Sequence, residues 1–198
     1  FDTKNIEVRT VLELELEVDF GNEIASKKLF LLPQDPFVGK QEQLEKLNVH
    51  LFDPIGETAL ILQSANVPFK RVHRLEGLSS LKSGLVIVGE GLDFRKHPLM
   101  ADQLCEAAGR GVQVLVLAPD DGAVKMDLKN QIGIVFRNES VVEDHDQRLD
   151  SFYWFGLASV QRRWEAEQDG GRISLRSSNE PTGWPWVEFQ YNETSIVF

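Results

Sequence analysis

Glu90, Asp93, Arg95 and His97 fall in one short loop, and two further carboxylates, Asp120 and Asp121, stand in a second. A carboxylate and an imidazole this close in sequence can act as a general acid and base pair. Glu90, Asp93, Asp120 and Asp121 together offer oxygen ligands of the kind a hard cation takes, although their spacing follows no ordered metal loop. The plainer reading of the first loop is a charged, hydrated turn that caps a helix beginning at His97. Neither loop contains a recognisable nucleophile.

The same loop carries Gly89 and Gly91 directly after an apolar run, the start of a dinucleotide fingerprint. Phe94 occupies the place of the third glycine, so the glycines are better explained by a tight turn. His50, His73, His97 and His145 form no HxH or HxxxH pair, and no metal site is expected. No GxSxG elbow is present. Trp184 and Trp186 flank Pro185 and make a candidate sugar-stacking platform, with burial in the core as the structural alternative. Asn138-Glu139-Ser140 and Asn192-Glu193-Thr194 match the glycosylation sequon, a match too short to assign a compartment.

These residues sit on a pattern of strands and helices. Leu85 to Val88 and Val112 to Leu117 are apolar strands, and His97 to Ala108 between them has helical spacing, with Pro98 in its first turn and Gly109 as a stop. Met100, Leu104, Ala107 and Ala108 share one face, bordered by Cys105, which reads as an inert packed thiol. Upstream, Asn48 to Phe52 is a strand, Asp53-Pro54 a helix start, and Glu57 to Ala65 a helix whose Leu60, Ile61 and Leu62 are expected to pack on a sheet. Val67 to Val72 is the next strand and Leu75 to Ser83 a loop. In open parallel sheets, ligands collect at the carboxyl ends of the strands, which here means the loops Gly89 to Phe94 and Ala118 to Gly122.

The flanks differ. Ile6 to Phe20 alternates apolar and acidic residues as one long strand with a wet face, and Lys28 to Leu32 is a second strand candidate. Gln41 to Leu47 can form a helical turn or two. Ile132 to Phe136 and Arg172 to Arg176 read as strands, Asp144 to Trp164 is rich in aromatic and charged residues, and Trp186 to Tyr191 with Ser195 to Phe198 forms a terminal hairpin around Asn192-Glu193. Residues 1–34 are thus a β-strand extension or the end of a preceding β-domain, and 35–198 an α/β domain.

A net charge of -10 repels phosphate backbones and anionic membrane surfaces, so nucleic acid and membrane are not expected partners. The basic residues Lys70, Arg71 and Arg74, and the pair Arg162 and Arg163, read as solvated faces. One cysteine permits no intrachain disulfide. No apolar run approaches the ~20 residues of a membrane helix, and the reading is a soluble chain of unassigned compartment. The chain opens at Phe1 without methionine, which suggests an excised or processed piece whose targeting segment or catalytic partner domain can have been left behind.

The segments LFDPIGETALILQSANVPFKRV, LSSLKSGLVIVGEGLDF and CEAAGRGVQVLVLAPDDG, in that order, resemble the class I glutamine amidotransferase-like (flavodoxin-like) fold. They most resemble its non-catalytic form, an accessory domain of bacterial β-galactosidase-type glycoside hydrolases, and WVEFQYNETSIVF is similar to the terminal hairpin of those domains. The resemblance implies a three-layer, open, mostly parallel sheet. It places the family's nucleophilic cysteine where Ala118 and Pro119 stand, and its His-x-Glu pair is replaced by His145-Asp146-Gln147. A degenerate active site and no cofactor are therefore expected. The expected role is an accessory or scaffolding domain of a larger carbohydrate-active protein, with other domains, carbohydrate or a second copy as partners. Two alternatives stand beside it: a hydrolase using Glu90, Asp93, His97 and Asp120, and a sugar-binding module using Trp184 and Trp186, with Gly89, Glu90 and Gly91 as further ligand-binding candidates.

Overall fold

The structure, a computed structural model, describes residues 10–17, 24–31, 37, 39–137, 163–179 and 182–198. The ends of the Ile6 to Phe20 strand, the boundary at position 34, Asn138 to Ser140, His145 and the aromatic stretch around Phe152 to Phe155 lie outside the described residues. Strand β1 (Thr10–Glu17) pairs antiparallel with β2 (Ile24–Leu31) in a separate two-stranded sheet. β2 begins earlier than its apolar run suggests, because it supplies backbone partners along the whole of β1 from Leu31 opposite Thr10 to Ile24 opposite Glu17.

After α1 (Gln41–Lys46), the α/β unit runs β3 (Val49–Phe52), α2 (Glu57–Ser64), β4 (Phe69–Arg71), a 3-10 turn at Leu75–Ser80, β5 (Leu85–Val88), a second 3-10 turn at Phe94–Lys96, α3 (Met100–Gly109) and β6 (Gln113–Val116). β7 (Ala123–Asp127), β8 (Gly133–Arg137), β9 (Arg163–Asp169), β10 (Arg172–Ser178), β11 (Trp186–Gln190) and β12 (Ser195–Val197) follow. The main sheet has the order β4-β3-β5-β6-β12-β11-β8. Its first five strands are parallel, β11 runs against them beside β12, and β8, antiparallel to β11, runs in the direction of the first five. β7, β10 and β9 form a second, antiparallel sheet.

From β3 the chain first crosses to β4 on one side and later to β5 on the other. Right-handed crossovers in opposite directions put their helices on opposite faces. Ala59 and Leu62 of α2 accordingly pack with Val49, Leu51 and Ile87 on one face. On the other, Met100, Leu104, Ala107 and Ala108 of α3 join Val86, Val88, Val114 and Val116 in the larger core. That core also takes in Val124 and Met126 of β7, Leu175 of β10 and Trp164 of β9, so the small sheet closes the same face beside α3. Each fully buried aliphatic side chain contributes roughly 1.5–3 kcal/mol of transfer free energy.

The two helices correct the sequence reading. Asp53-Pro54 does not begin α2: its N-cap is Gly56, in the left-handed region at φ 94°, and Asp53 reaches forward to accept from Gly56 N at 2.9 Å and Ala59 N at 2.8 Å. Leu60 and Ile61 do not pack on the sheet. They are 66% and 60% exposed, since the small residues Thr58 and Ala59 take the sheet-facing side. His97 does not begin α3 either, because Pro98 disfavours helical geometry in the residue before it and the helix starts at Met100. Gly109 is the last helical residue, while Gly111, at φ 101°, takes the left-handed turn. No helix among the described residues is long and apolar enough to cross a membrane.

Candidate functional site

The loops that leave β5 and β6 are bonded to each other. Gly91, at φ 77°, donates its N–H to the Ala118 carbonyl at 2.9 Å. Asp120 N–H donates to the Leu92 carbonyl at 3.0 Å, and Phe94 N–H to the Asp121 carbonyl at 2.9 Å. Asp93 and Asp121 form an isolated parallel bridge. The pairing of β5 with β6 thus continues past the strand ends through three hydrogen bonds between the loops. Gly89 N–H extends the same pattern toward β3 through the Phe52 carbonyl, and Glu90 N–H donates to Thr58 Oγ1 on α2.

Charge locks this junction. Asp93 Oδ1 accepts from Arg95 N–H at 3.1 Å and from Arg95 Nε at 2.9 Å, and its Oδ2 accepts from Arg95 Nη2 at 3.1 Å. The same Nη2 lies 3.0 Å from Asp121 Oδ2, so one nitrogen is shared between the two carboxylates. The Arg95 hydrogen bond holds the Asp93 carboxyl down at about 2, so Asp93 is a fixed anion near neutral pH. Such a group neither gives nor takes a proton there. Its role is to cap the 3-10 turn Phe94–Lys96, which is where the charged-cap reading of this loop applies.

The remaining sequence candidates do not converge on Asp93. The Glu90 side chain is exposed, as is Asp120, whose charge is felt by Arg95. His97 turns away from both, its ring edge-to-face with Phe52 at 5.4 Å. Among the described residues no three of His, Cys, Asp and Glu gather where they could hold a metal ion. Ala118 is half-buried and Pro119 buried, so the position after β6 presents a methyl group and an imide without an N–H.

His97 instead belongs to a neighbouring cleft of about 520 Å³ at the carboxyl ends of β3 and β4. His73, Arg74 and Glu76 line one side, Lys96, His97 and Gln103 another, and Phe52, Leu75 and Met100 contribute apolar surface. Sequence reading missed this grouping because its signal, the basic run from Lys70 to Arg74, is split in space. Lys70 donates to Asn48 Oδ1 and Arg71 lies over the Phe69 ring, so of the run's three permanent cations only Arg74 reaches the cleft, beside His73.

Trp184 and Trp186 do not share one environment. Trp184 is 41% exposed and pairs with Phe136 at 5.5 Å, whereas the indole nitrogen of Trp186 is buried. The sequence did not single out Phe136 as the aromatic neighbour. Cys105 is half-buried, and burial pushes its thiol up, the state of a packed, unreactive sulfur. It lies away from the two loops, in a pocket of about 1000 Å³ shared with Tyr191, whose hydroxyl burial likewise pushes up.

Comparison with protein-family models, curated proteins and solved structures found no match for this chain.

Proposed function

We propose that this chain is a non-catalytic α/β domain of the class I glutamine amidotransferase-like type, working as an accessory or scaffolding domain of a larger, carbohydrate-active protein. The observation that carries the reading is the occupied junction at Ala118. Its carbonyl is bonded to Gly91, the next residue is Pro119, which has no N–H, and neither loop carries a cysteine or serine nucleophile. The parallel strands follow the order 2-1-3-4-5 when β3 is counted first and β12 last, an order that accords with a flavodoxin-like sheet. The exposed Ile55, Leu60 and Ile61 give such a domain apolar surface to set against another domain of the same polypeptide.

Ammonia release from glutamine tests the loss of catalysis. The chain as it stands is expected to release no more ammonia than a buffer blank. Turnover that disappears in Glu90→Ala would overturn the reading.

One observation favours sugar binding as a second reading. Trp184 keeps an exposed face beside Phe136, and an exposed indole can stack on a sugar ring. Fluorescence titration with oligosaccharides should then give saturable quenching that Trp184→Ala abolishes; a flat response removes this reading.

A further inference from the structure

We propose that the cleft between the Leu75–Ser80 turn and the start of α3 binds a small organic phosphate monoester, independently of the accessory role argued above. The chain carries a net charge of -10, yet this cleft gathers two permanent cations, Arg74 and Lys96, and two imidazoles, His73 and His97, against one carboxylate, Glu76. Concentrating cations in a concavity of an acidic protein creates a local field for an anion that the molecule as a whole would repel.

The donors are available. Among the described residues, no hydrogen bond or ion pair engages the side chains of Arg74 or His73, and Lys96 has only a 3.6 Å contact with Asp93 while its side chain remains 76% exposed. α3 opens into the same space with Leu99 as N-cap; the His97 carbonyl takes the Met100 N–H, no side chain caps this end, and Asp102 stands in the first turn. The positive end of that helix adds to the field of Arg74 and Lys96. A guanidinium fork, an ammonium and two imidazoles supply more donors than a planar carboxylate accepts. The oxygens of a phosphate monoester suit that number.

The site also has a body. Phe52, Leu75 and Met100 are buried residues that line it, and Pro54, Pro98 and Leu99 add apolar rim. At about 520 Å³ the cleft has the capacity of a small-molecule site. It also lies at the carboxyl edge of the parallel strands, beside the point where the crossovers change direction. A charged head on an organic ring or chain fills both parts.

The test is a calorimetric titration of the whole 198-residue chain with phenyl phosphate, inorganic phosphate and phenol, repeated on Arg74→Gln and Lys96→Gln. Lys125→Gln, an exposed change on β7 outside the cleft, serves as the control. Phenyl phosphate is expected to saturate and to bind more tightly than inorganic phosphate, with no saturable heat from phenol. Losing a charge-assisted donor should weaken phenyl phosphate about tenfold in either cleft variant and leave the control unchanged. Absence of saturation in the parent chain overturns the proposal. So does equal binding by Arg74→Gln, Lys96→Gln and the control, or binding of phenol as tight as that of its phosphate. The thermal transition of each variant is measured alongside, and because Arg74 makes no ion pair among the described residues, its replacement is expected to leave that transition in place.

Discussion

Asp93 and Asp121 stand opposite each other as paired residues of two parallel chain segments, and the Arg95 guanidinium spans both carboxylates, 2.9 Å from one and 3.0 Å from the other. Two like charges on adjacent segments repel unless a cation is held between them. Arg95 is that cation, and the hydrogen bonds below it join the loops that follow β5 and β6.

Replacing Arg95 by Gln should therefore destabilise the chain near neutral pH. The Asp93 carboxyl is held at about 2 against an ordinary 3.8, so the stability it contributes is fully present above 3.8 and lost as pH falls through 2. Urea midpoints of parent and Arg95→Gln should differ at pH 7 and converge as pH is lowered from about 4 toward 2. A difference that stayed constant down to pH 2 would mean that the Asp93 contact is not its source.

Gly89→Ala is expected to cost roughly 1–3 kcal/mol. An added Cβ would lie 2.7 Å from Asp53 Oδ1 and 2.8 Å from Asp53 Cγ, displacing the carboxylate that caps the first turn of α2. Chemical denaturation measures it directly. A neutral outcome would show that Asp53 can swing aside without releasing Gly56 and Ala59.

The parallel unit was legible in the sequence because its strands are short, apolar and bounded by glycine-rich turns. Leu85 to Val88, Val112 to Leu117, the α3 stripe and the terminal hairpin at Asn192-Glu193 all stand close to where periodicity placed them. β7 and β9 were not legible. The run AVKMD gives only Val124 and Met126 to the core, and RWEAEQD only Trp164, too few buried residues to register as strands before their partner β10 is known. The site was half legible. The loops at Glu90 and Asp120 lie at the expected edge, but local sequence cannot tell a catalytic carboxylate from one neutralised by an arginine two residues away. The His73 to His97 cleft depends on two segments that meet only through the fold.

His50 makes the chain acid-sensitive. It sits buried on β3, opposite Lys70 on β4, and Nε2 has no hydrogen-bond partner among the described residues. Burial first, and the Lys70 charge second, push its imidazole below 6.5. An unfolded His50 takes up a proton that the folded one resists, so stability is intact above the unfolded value and declines as pH falls through it. Thermal melts of His50→Leu should show a shallower decline than the parent from about pH 7 to 5. Identical slopes would place the acid sensitivity elsewhere.

Leu60→Glu and Ile61→Lys should each change stability by no more than about 0.5 kcal/mol, because both side chains project from α2 into solvent. A loss on the scale of about 2 kcal/mol would return them to the sheet-packing role their apolar character suggests.

The most direct measurement of the central claim, that the crevice beyond β5 and β6 is closed by its own backbone, is amide hydrogen exchange at Gly91, Phe94 and Asp120. All three N–H groups donate to the opposite loop at 2.9 to 3.0 Å. The account predicts protection at all three comparable with that of strand amides in β5 and β6, and a drop in that protection for Arg95→Gln. Exchange at the rate of an open loop in the parent chain would mean that the crevice stands open, and would contradict the account.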